Sequence, residues 1–197
     1  MKDNLIITVD GPAGAGKSTV SKILSKKISY MYLDTGALYR AIAYKVAEYE
    51  ISPDNEDLLS ELCKKVTISV ESMDGDMKVL IDGEDVTAKI RTERTGLLAS
   101  KVSAVPAVRE TLLSIQRKAG ESGGLIAEGR DMGTVVFPYA DLKFFINAKR
   151  ALLDRDQRDT TRNISPLKPS DDSAIIDTTF LNVEEVVEKM LGIIEEF

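Results

Sequence analysis

Leu5-Ile6-Ile7-Thr8-Val9 is a short, nearly unbroken apolar run that ends at Asp10. A run of this length without polar alternation marks a strand buried on both faces. It feeds directly into Gly11-Pro12-Ala13-Gly14-Ala15-Gly16-Lys17-Ser18-Thr19, after which Val20, Ile23, Leu24 and Ile28 recur at helical spacing. The same alternation of strand and helix follows. Tyr30-Met31-Tyr32-Leu33 predicts a second short buried strand ending in Asp34-Thr35-Gly36, and residues 37–48 read as helix. Ser52-Pro53 is a helix-start signal, with proline at the first helical position, and leads into a helix around 58–64. From 67 to 86 the period drops to two: Thr67-Ile68-Ser69-Val70-Glu71, a polar turn at 73–76, then Lys78-Val79-Leu80-Ile81. That is a hairpin in an otherwise β/α chain. Helical patterns resume over 92–102 and, after Pro106, over 107–119. Residues 124–127 and 141–146 predict further central strands. A weaker one at 174–176 ends in Asp177-Thr178-Thr179, a triplet equally readable as a turn. The last helix is the clearest: Asn182 as cap, Glu185 three residues on, and an apolar stripe of Val183, Val186, Val187, Met190, Leu191 and Ile194.

This order of elements predicts a three-layer α/β/α fold: a central parallel sheet covered on both faces. The expected organisation is a single domain over 1–197, with a core of 1–66 and 120–197 and an inserted lobe over roughly 67–119 that carries the antiparallel strands. In parallel sheets ligands bind beyond the carboxyl ends of the strands. Residues 11–18, Asp34-Thr35 and Glu128-Gly129-Arg130-Asp131 each follow a predicted strand. They point to one shared cleft.

Composition narrows the chemistry. A chain of 197 residues supports one full core, and 43% hydrophobic with 29% charged residues is ordinary for a globular protein. A net charge of −6 argues against a nucleic-acid polymer as partner. One cysteine, Cys63, rules out an intrachain disulfide, fits a reducing compartment, and sits beside Leu62 as packing. No stretch approaches membrane-spanning length, and the first apolar run is too short for a secretory leader. The expected location is the cytoplasm. With no histidine and no cysteine cluster, zinc sites and Ser-His-Asp hydrolysis are excluded.

The glycine-rich loop matches the pattern GxxxxGKS. Its backbone N–H groups, turned inward at a helix N-terminus, cradle phosphate oxygens, with Lys17 reaching the outer phosphates and Ser18 placed to ligate Mg²⁺. An anionic acceptor needs its own cations, and a guanidinium binds phosphate oxygens bidentately. Arg40 and Arg130 are the candidates; alone, Arg40 also reads as a solvated helix residue and Arg130 as a salt bridge to Asp131. If residues 155–162 are helical, Arg155, Asp159 and Arg162 share one face. That face reads equally as a surface ion-pair ladder or as a set of groups closing over a nucleotide.

Several blocks together resemble bacterial cytidylate kinases, a family of phosphate-loop nucleoside monophosphate kinases: residues 11–19, Leu33-Asp34-Thr35-Gly36-Ala37-Leu38-Tyr39-Arg40, the run from Ile126 to Pro138, Arg155 to Asp159 with Arg162, Ser165-Pro166-Leu167, and 181–187. The likeness includes the inserted hairpin, so the lobe would be the monophosphate-binding lobe. The resemblance implies Mg²⁺- and ATP-dependent phosphorylation of CMP and dCMP by a monomer. It assigns Lys17, Arg130 and Arg158 to catalysis and residues 11–19 to ATP, with Ser18 at the metal and Asp34 contributing through water. Ser100, Arg109, Asp131 and Arg162 would read cytosine, Arg40 and Arg130 would hold the acceptor phosphate, and Arg155 and Asp159, with Thr35 nearby, would meet the sugar. Cytosine presents an exocyclic amine beside N3 and O2, so a carboxylate paired with arginine donors suits its edge, and uracil reverses that polarity. Rival readings are a kinase for another monophosphate such as UMP and a non-catalytic nucleotide-binding module.

Two departures from the family pattern stand out. Ala13 occupies a position often held by serine. Between Ile146-Asn147-Ala148 and Leu152-Leu153-Asp154-Arg155 only Lys149-Arg150-Ala151 remain, where relatives carry an arginine-rich helix and a lid. The expectation is a natural chain that possesses this segment, with the numbering closed over a gap, rather than a naturally lidless enzyme. Intact-mass measurement decides it: a mass larger by a few kilodaltons is expected, and one near 21.6 kDa refutes the gap.

Overall fold

The structure is a computed structural model that describes residues 4–73, 76–148 and 154–197, and the backbone but not the side chains of Met73, Asp154 and Arg155. Its centre is β1 (Ile6–Asp10), flanked by β6 (Leu125–Gly129) and β7 (Leu142–Asn147). With β2 (Met31–Asp34) and β8 (Ala174–Asp177) at the edges, the sheet order is β2-β6-β1-β7-β8, every pairing parallel. Register places Val9 opposite both Glu128 and Phe144, and Asp10 opposite Gly129 and Phe145. The polar ends of β1 and β6 therefore finish level with each other, which creates the cleft.

Helices cover both faces. On one side, α1 (Lys17–Ile28) and α7 (Val183–Glu196) bury Val20, Leu24, Val186, Met190 and Ile194 against Leu5, Ile7, Val9, Phe144 and Ile146. Helix α7 begins with the predicted capping box: Asn182 Oδ1 accepts the Glu185 N–H at 2.9 Å and Glu185 Oε2 accepts the Asn182 N–H at 2.8 Å. On the other side lie α2 (Thr35–Glu48), α3 (Glu56–Lys65) and α5 (Pro106–Ala119), with α4 (Glu93–Val102) packed on α2. Cys63 is buried on α3, as its place in the pattern suggested.

The hairpin forms a second, antiparallel sheet of β3 (Ile68–Met73), β4 (Asp76–Ile81) and β5 (Glu84–Asp85). Ile68, Val79, Ile81, Val102, Val108 and Leu112 join Leu33, Leu38, Ile42 and Leu125 in one continuous core. The lobe thus shares the apolar interior of the main body. Among the described residues no helix is long and apolar enough to cross a membrane.

Local chemistry moved some boundaries. Pro53 lies in a turn and α3 starts at Glu56, because Asn55 supplies the cap: its Oδ1 accepts the Leu58 N–H at 3.1 Å, with Glu56 and Asp57 in the first turn. Helix α2 starts at Thr35, two residues earlier than the pattern suggested, since Asp34 both ends β2 and caps the helix through the Ala37 N–H at 3.0 Å. Residues Met132–Val136 form a π-helical turn with no periodic signature. The Val136 N–H reaches back five residues to the Asp131 carbonyl at 3.2 Å. Arg117 caps that turn by donating to the Val136 and Val135 carbonyls.

Gly11 links β1 to the glycine-rich loop at φ +145°, where a Cβ would overlap the Ile146 carbonyl oxygen on β7. Gly11→Ala is expected to destabilise by at least about 2 kcal/mol in urea unfolding, from backbone strain together with that overlap. An unchanged midpoint would contradict this packing.

Candidate active site

The loop after β1 delivers α1 with an unusual N-terminus. Gly16, at φ 87°, takes the cap position without a side-chain hydrogen bond, so the first-turn N–H groups face the loop unclaimed by any cap. That is the physical form of an anion cradle. Lys17 is folded back within it and donates to the Pro12 carbonyl at 2.6 Å. Burial, followed by the Arg130 charge, lowers the Lys17 ammonium to about 8. The cation is therefore held buried beside another cation, with the Glu128, Asp10 and Asp156 carboxylates only partly offsetting the cost.

Ser18 donates its hydroxyl to Glu128 Oε1 at 2.7 Å, while Glu128 Oε2 is buried with no hydrogen-bond partner. Burial first, and the nearby Asp34 carboxylate second, raise the Glu128 carboxyl well above the usual range. A hydroxyl and an under-satisfied carboxylate oxygen beside the cradle are hard oxygen donors of the type Mg²⁺ takes. Among the described residues no cluster of three or more His, Cys, Asp or Glu offers an alternative metal site. Asp34, expected to assist a metal through water, is engaged otherwise. Its Oδ2 pairs with Arg40 Nη2 at 3.1 Å and Arg91 Nη1 at 2.8 Å, and its Oδ1 caps α2.

A cleft opens from this cradle across the ends of β2 and β6. It gathers Ala13, Gly14, Lys17, Ser18, Thr35, Arg40, Arg109, Arg130, Asp131, Asp159 and Arg162, all anticipated from the sequence. Thr35 donates its hydroxyl to the Glu128 carbonyl at 2.7 Å, tying α2 to β6. Arg130, whose simplest reading was a bridge to its neighbour Asp131, instead pairs across the cleft with Asp156 and, at 3.4 Å, with Asp159. Both aspartates lie on α6 (Asp154–Thr161).

Asp131 anchors the far end. It pairs with Arg109, and Arg162 Nη2 stands 3.9 Å from its other oxygen, at ion-pair rather than hydrogen-bond range. Burial raises the Asp131 carboxyl, against the opposing pull of the two arginines. Arg109 also donates to the Ser103 carbonyl at 3.0 Å and stacks over the Tyr39 ring at 5.6 Å. Arg162 donates to the Ser165 carbonyl at 2.6 Å and leaves Nη2 without a hydrogen-bond acceptor. The geometry is a carboxylate with flanking guanidiniums in a buried pocket, able to read a planar edge that carries both donors and acceptors.

Two anticipated residues do not line the cleft, and a third lies outside the described side chains. The Ser100 hydroxyl is buried without a partner, and the cleft wall is formed by its helix neighbours Ala99 and Ser103. Arg158 is exposed on α6 and does not line the cleft. The side chain of Arg155 and the shortened segment at 149–153 lie outside the described residues.

Other residues had no role of their own assigned from the sequence. Asp10 accepts the Met132 and Gly133 N–H groups at 2.9 and 2.8 Å, pinning the π-helical turn directly behind Asp131. Burial raises its carboxyl to about 6. Glu128, Arg91 and Asp156 complete the set. A strand-end carboxylate beside GKS was the one legible signal among them. On the opposite side of the loop a second groove runs along Gly14, Ala15, Gly16, Thr178, Thr179 and Asn182. The phosphate cradle therefore lies between two clefts.

The family model described as cytidylate kinase matches this chain over residues 7–152 and 149–196. A cytidylate kinase of Syntrophotalea carbinolica is 41% identical, covering 100% of this chain and 94% of its own length; one from Carboxydothermus hydrogenoformans is 43% identical, covering 95% and 96%. The first alignment runs over 221 positions against the 197 residues here, so at least 24 positions of that relative have no counterpart. The family match breaks at 149–152, where the sequence is short of the expected lid. Among solved structures, an uncharacterized protein from Eubacterium ventriosum shares the fold, at 12% identity and a TM-score of 0.52 over 98% of this chain and 99% of its own. With a cradle between two clefts and a family match reaching both ends of the sheet, this chain belongs to the cytidylate kinase family.

Proposed function

We propose that the chain transfers the γ-phosphoryl group of ATP to CMP and dCMP, giving ADP with CDP or dCDP. The observation that carries this reading is the acceptor cleft itself. A switch that binds one nucleotide has no use for a second, arginine-lined cavity ending in a buried base-reading carboxylate. Membership of the family supports the same conclusion.

The second groove, beside Gly14–Gly16 and Thr178, takes the adenosine end of ATP, and the N–H groups of residues 11–19 hold its phosphates. Lys17 leaves the Pro12 carbonyl for the outer phosphates. Mg²⁺, held by Ser18 with Glu128, would supply charge neutralisation of the triphosphate. Arg40 and Arg130 hold the acceptor phosphate so that one of its oxygens attacks the γ-phosphorus in line with the departing ADP oxygen. Arg40 is positioned by Asp34, and Arg130 by the α6 carboxylates. Asp131 accepts from the cytosine amine while Arg109 and Arg162 donate toward N3 and O2. Uracil, which offers a carbonyl in place of that amine, leaves Asp131 facing an acceptor and is disfavoured. Asp159 meets the sugar.

Coupled ADP release with Mg²⁺–ATP and CMP, dCMP, UMP or AMP in parallel tests the proposal. CMP and dCMP should turn over well ahead of UMP and AMP. Were the lid genuinely absent from the molecule, water would be excluded poorly and turnover should fall well below that of a lidded relative. Silence with all four acceptors would overturn the reading in favour of a binding module.

Lys17 gives a pH signature. Its ammonium is charged below about 8 and neutral above. ATP affinity measured without acceptor should therefore fall as pH rises from about 7 to 9, and Lys17→Arg, charged throughout, should flatten the curve. An equally steep fall in the arginine variant would show that another group titrates.

A further inference from the structure

Periodicity drew attention to Arg155, Asp159 and Arg162 on α6, yet the side chain that binds this helix to the phosphate loop is Asp156, only 2% exposed. Its Oδ1 accepts the Ala13 backbone N–H at 2.8 Å and also an N–H of Arg130 Nη1. The same Nη1 lies 3.3 Å from the Gly11 carbonyl, and Nη2 is 3.4 Å from Asp159. One carboxylate oxygen thus joins the loop after β1, the end of β6 and helix α6. With Asp159 alone, Arg130 would be tied to α6 and, through the Gly11 carbonyl, only to the start of the loop. Asp156 adds a tie to the Ala13 amide, within the turn of the loop proposed to hold the donor.

We propose that Asp156 is a positioning residue for phosphoryl transfer: it aims the Arg130 guanidinium at the junction between acceptor phosphate and phosphate loop. The proposal rests on the reading of Arg130 as a ligand of the acceptor phosphate. An unrestrained arginine samples many rotamers, and each must be given up when the transition state forms. A guanidinium already tied to the Ala13 amide through a shared oxygen has given them up beforehand, which is the condition for preorganised charge stabilisation. The tie also holds back charge. With two carboxylates against it, Arg130 attracts a phosphate dianion less strongly than it would with one. Asp156 therefore trades ground-state affinity for orientation.

That trade separates the role from a merely structural one. Asp156→Asn keeps an oxygen for the Ala13 N–H and removes the charge from Arg130. Calorimetric binding of CMP, with cytidine as the probe lacking phosphate, is measured beside single-turnover phosphoryl transfer in the full chain. In Asp156→Asn, CMP should bind about three- to tenfold more tightly because one opposing charge is gone. Cytidine binding should not change, and transfer should slow by at least about tenfold from lost aim. If CMP and cytidine shift together, or the CMP-to-cytidine ratio and transfer rate both stay at the original values, the proposal is overturned. Arg130→Ala isolates the underlying reading: it should erase most of the preference for CMP over cytidine. If that preference survives, Arg130 is not the acceptor-phosphate ligand, and the failure lies there rather than with Asp156. Should Asp156→Asn fail to fold, Asp156→Glu keeps the charge and displaces the oxygen. It should leave the CMP-to-cytidine ratio near the original value and still slow transfer; an unslowed rate overturns the proposal.

Discussion

The architecture of the site depends on one lattice of buried charge. Asp131, Asp156 and Asp159 interleave with Arg109, Arg130 and Arg162, with side chains between 3% and 13% exposed. Such a lattice adds little net stability, because desolvating each ion offsets most of its attraction to the next. Its value is geometric. Every guanidinium in the cleft is already oriented by a carboxylate, and each pair is weak enough in net terms for an arriving phosphate or base edge to compete. The cleft is preorganised for an anionic, planar-edged ligand without being locked against it.

The lattice holds its shape because Arg130 and Asp131 hang from the rigid end of β6 and meet partners carried on α5 and α6. Asp10 closes β1 and pins the π-helical turn behind Asp131. Glu128 near the end of β6 takes the Ser18 hydroxyl through its side chain and the Thr35 hydroxyl through its carbonyl. One strand end thereby sets the start of α1 and the start of α2 together. Parallel register is what brings these groups level, and it explains why polar residues are tolerated at the edge of so apolar a sheet.

The two sides of the cradle differ in how they are built. The arginine-lined side continues the main apolar core through α2, α4 and α5, so its walls are as firm as the body. The second groove has a capped helix and the end of β8 on one flank. Relatives have at least 24 further positions, and the family match breaks where the lid is expected, at 149–152. The two clefts beside the cradle thus draw on different parts of the chain, and the shortened segment follows Ala148, which lines the second.

The amino-acid order alone determined whatever depends on neighbours in the chain. The buried strands, the loop from Gly11 to Thr19, the hairpin and the Asn182–Glu185 cap follow from apolar period, glycine spacing and residues three apart. The sequence also located most of the cleft, since strand-end residues must converge in a parallel sheet. Only the tertiary structure decided who pairs with whom. Ala13 meets Asp156 across 143 positions, and Ser18 meets Glu128 across 110. Helical phase, set by packing, turned Ala99 and Ser103 to the cleft in place of Ser100. Local periodicity specifies which face of an element is apolar. It carries no record of which distant polar group that face will meet, because such pairings are set by the register of strands and the docking of helices.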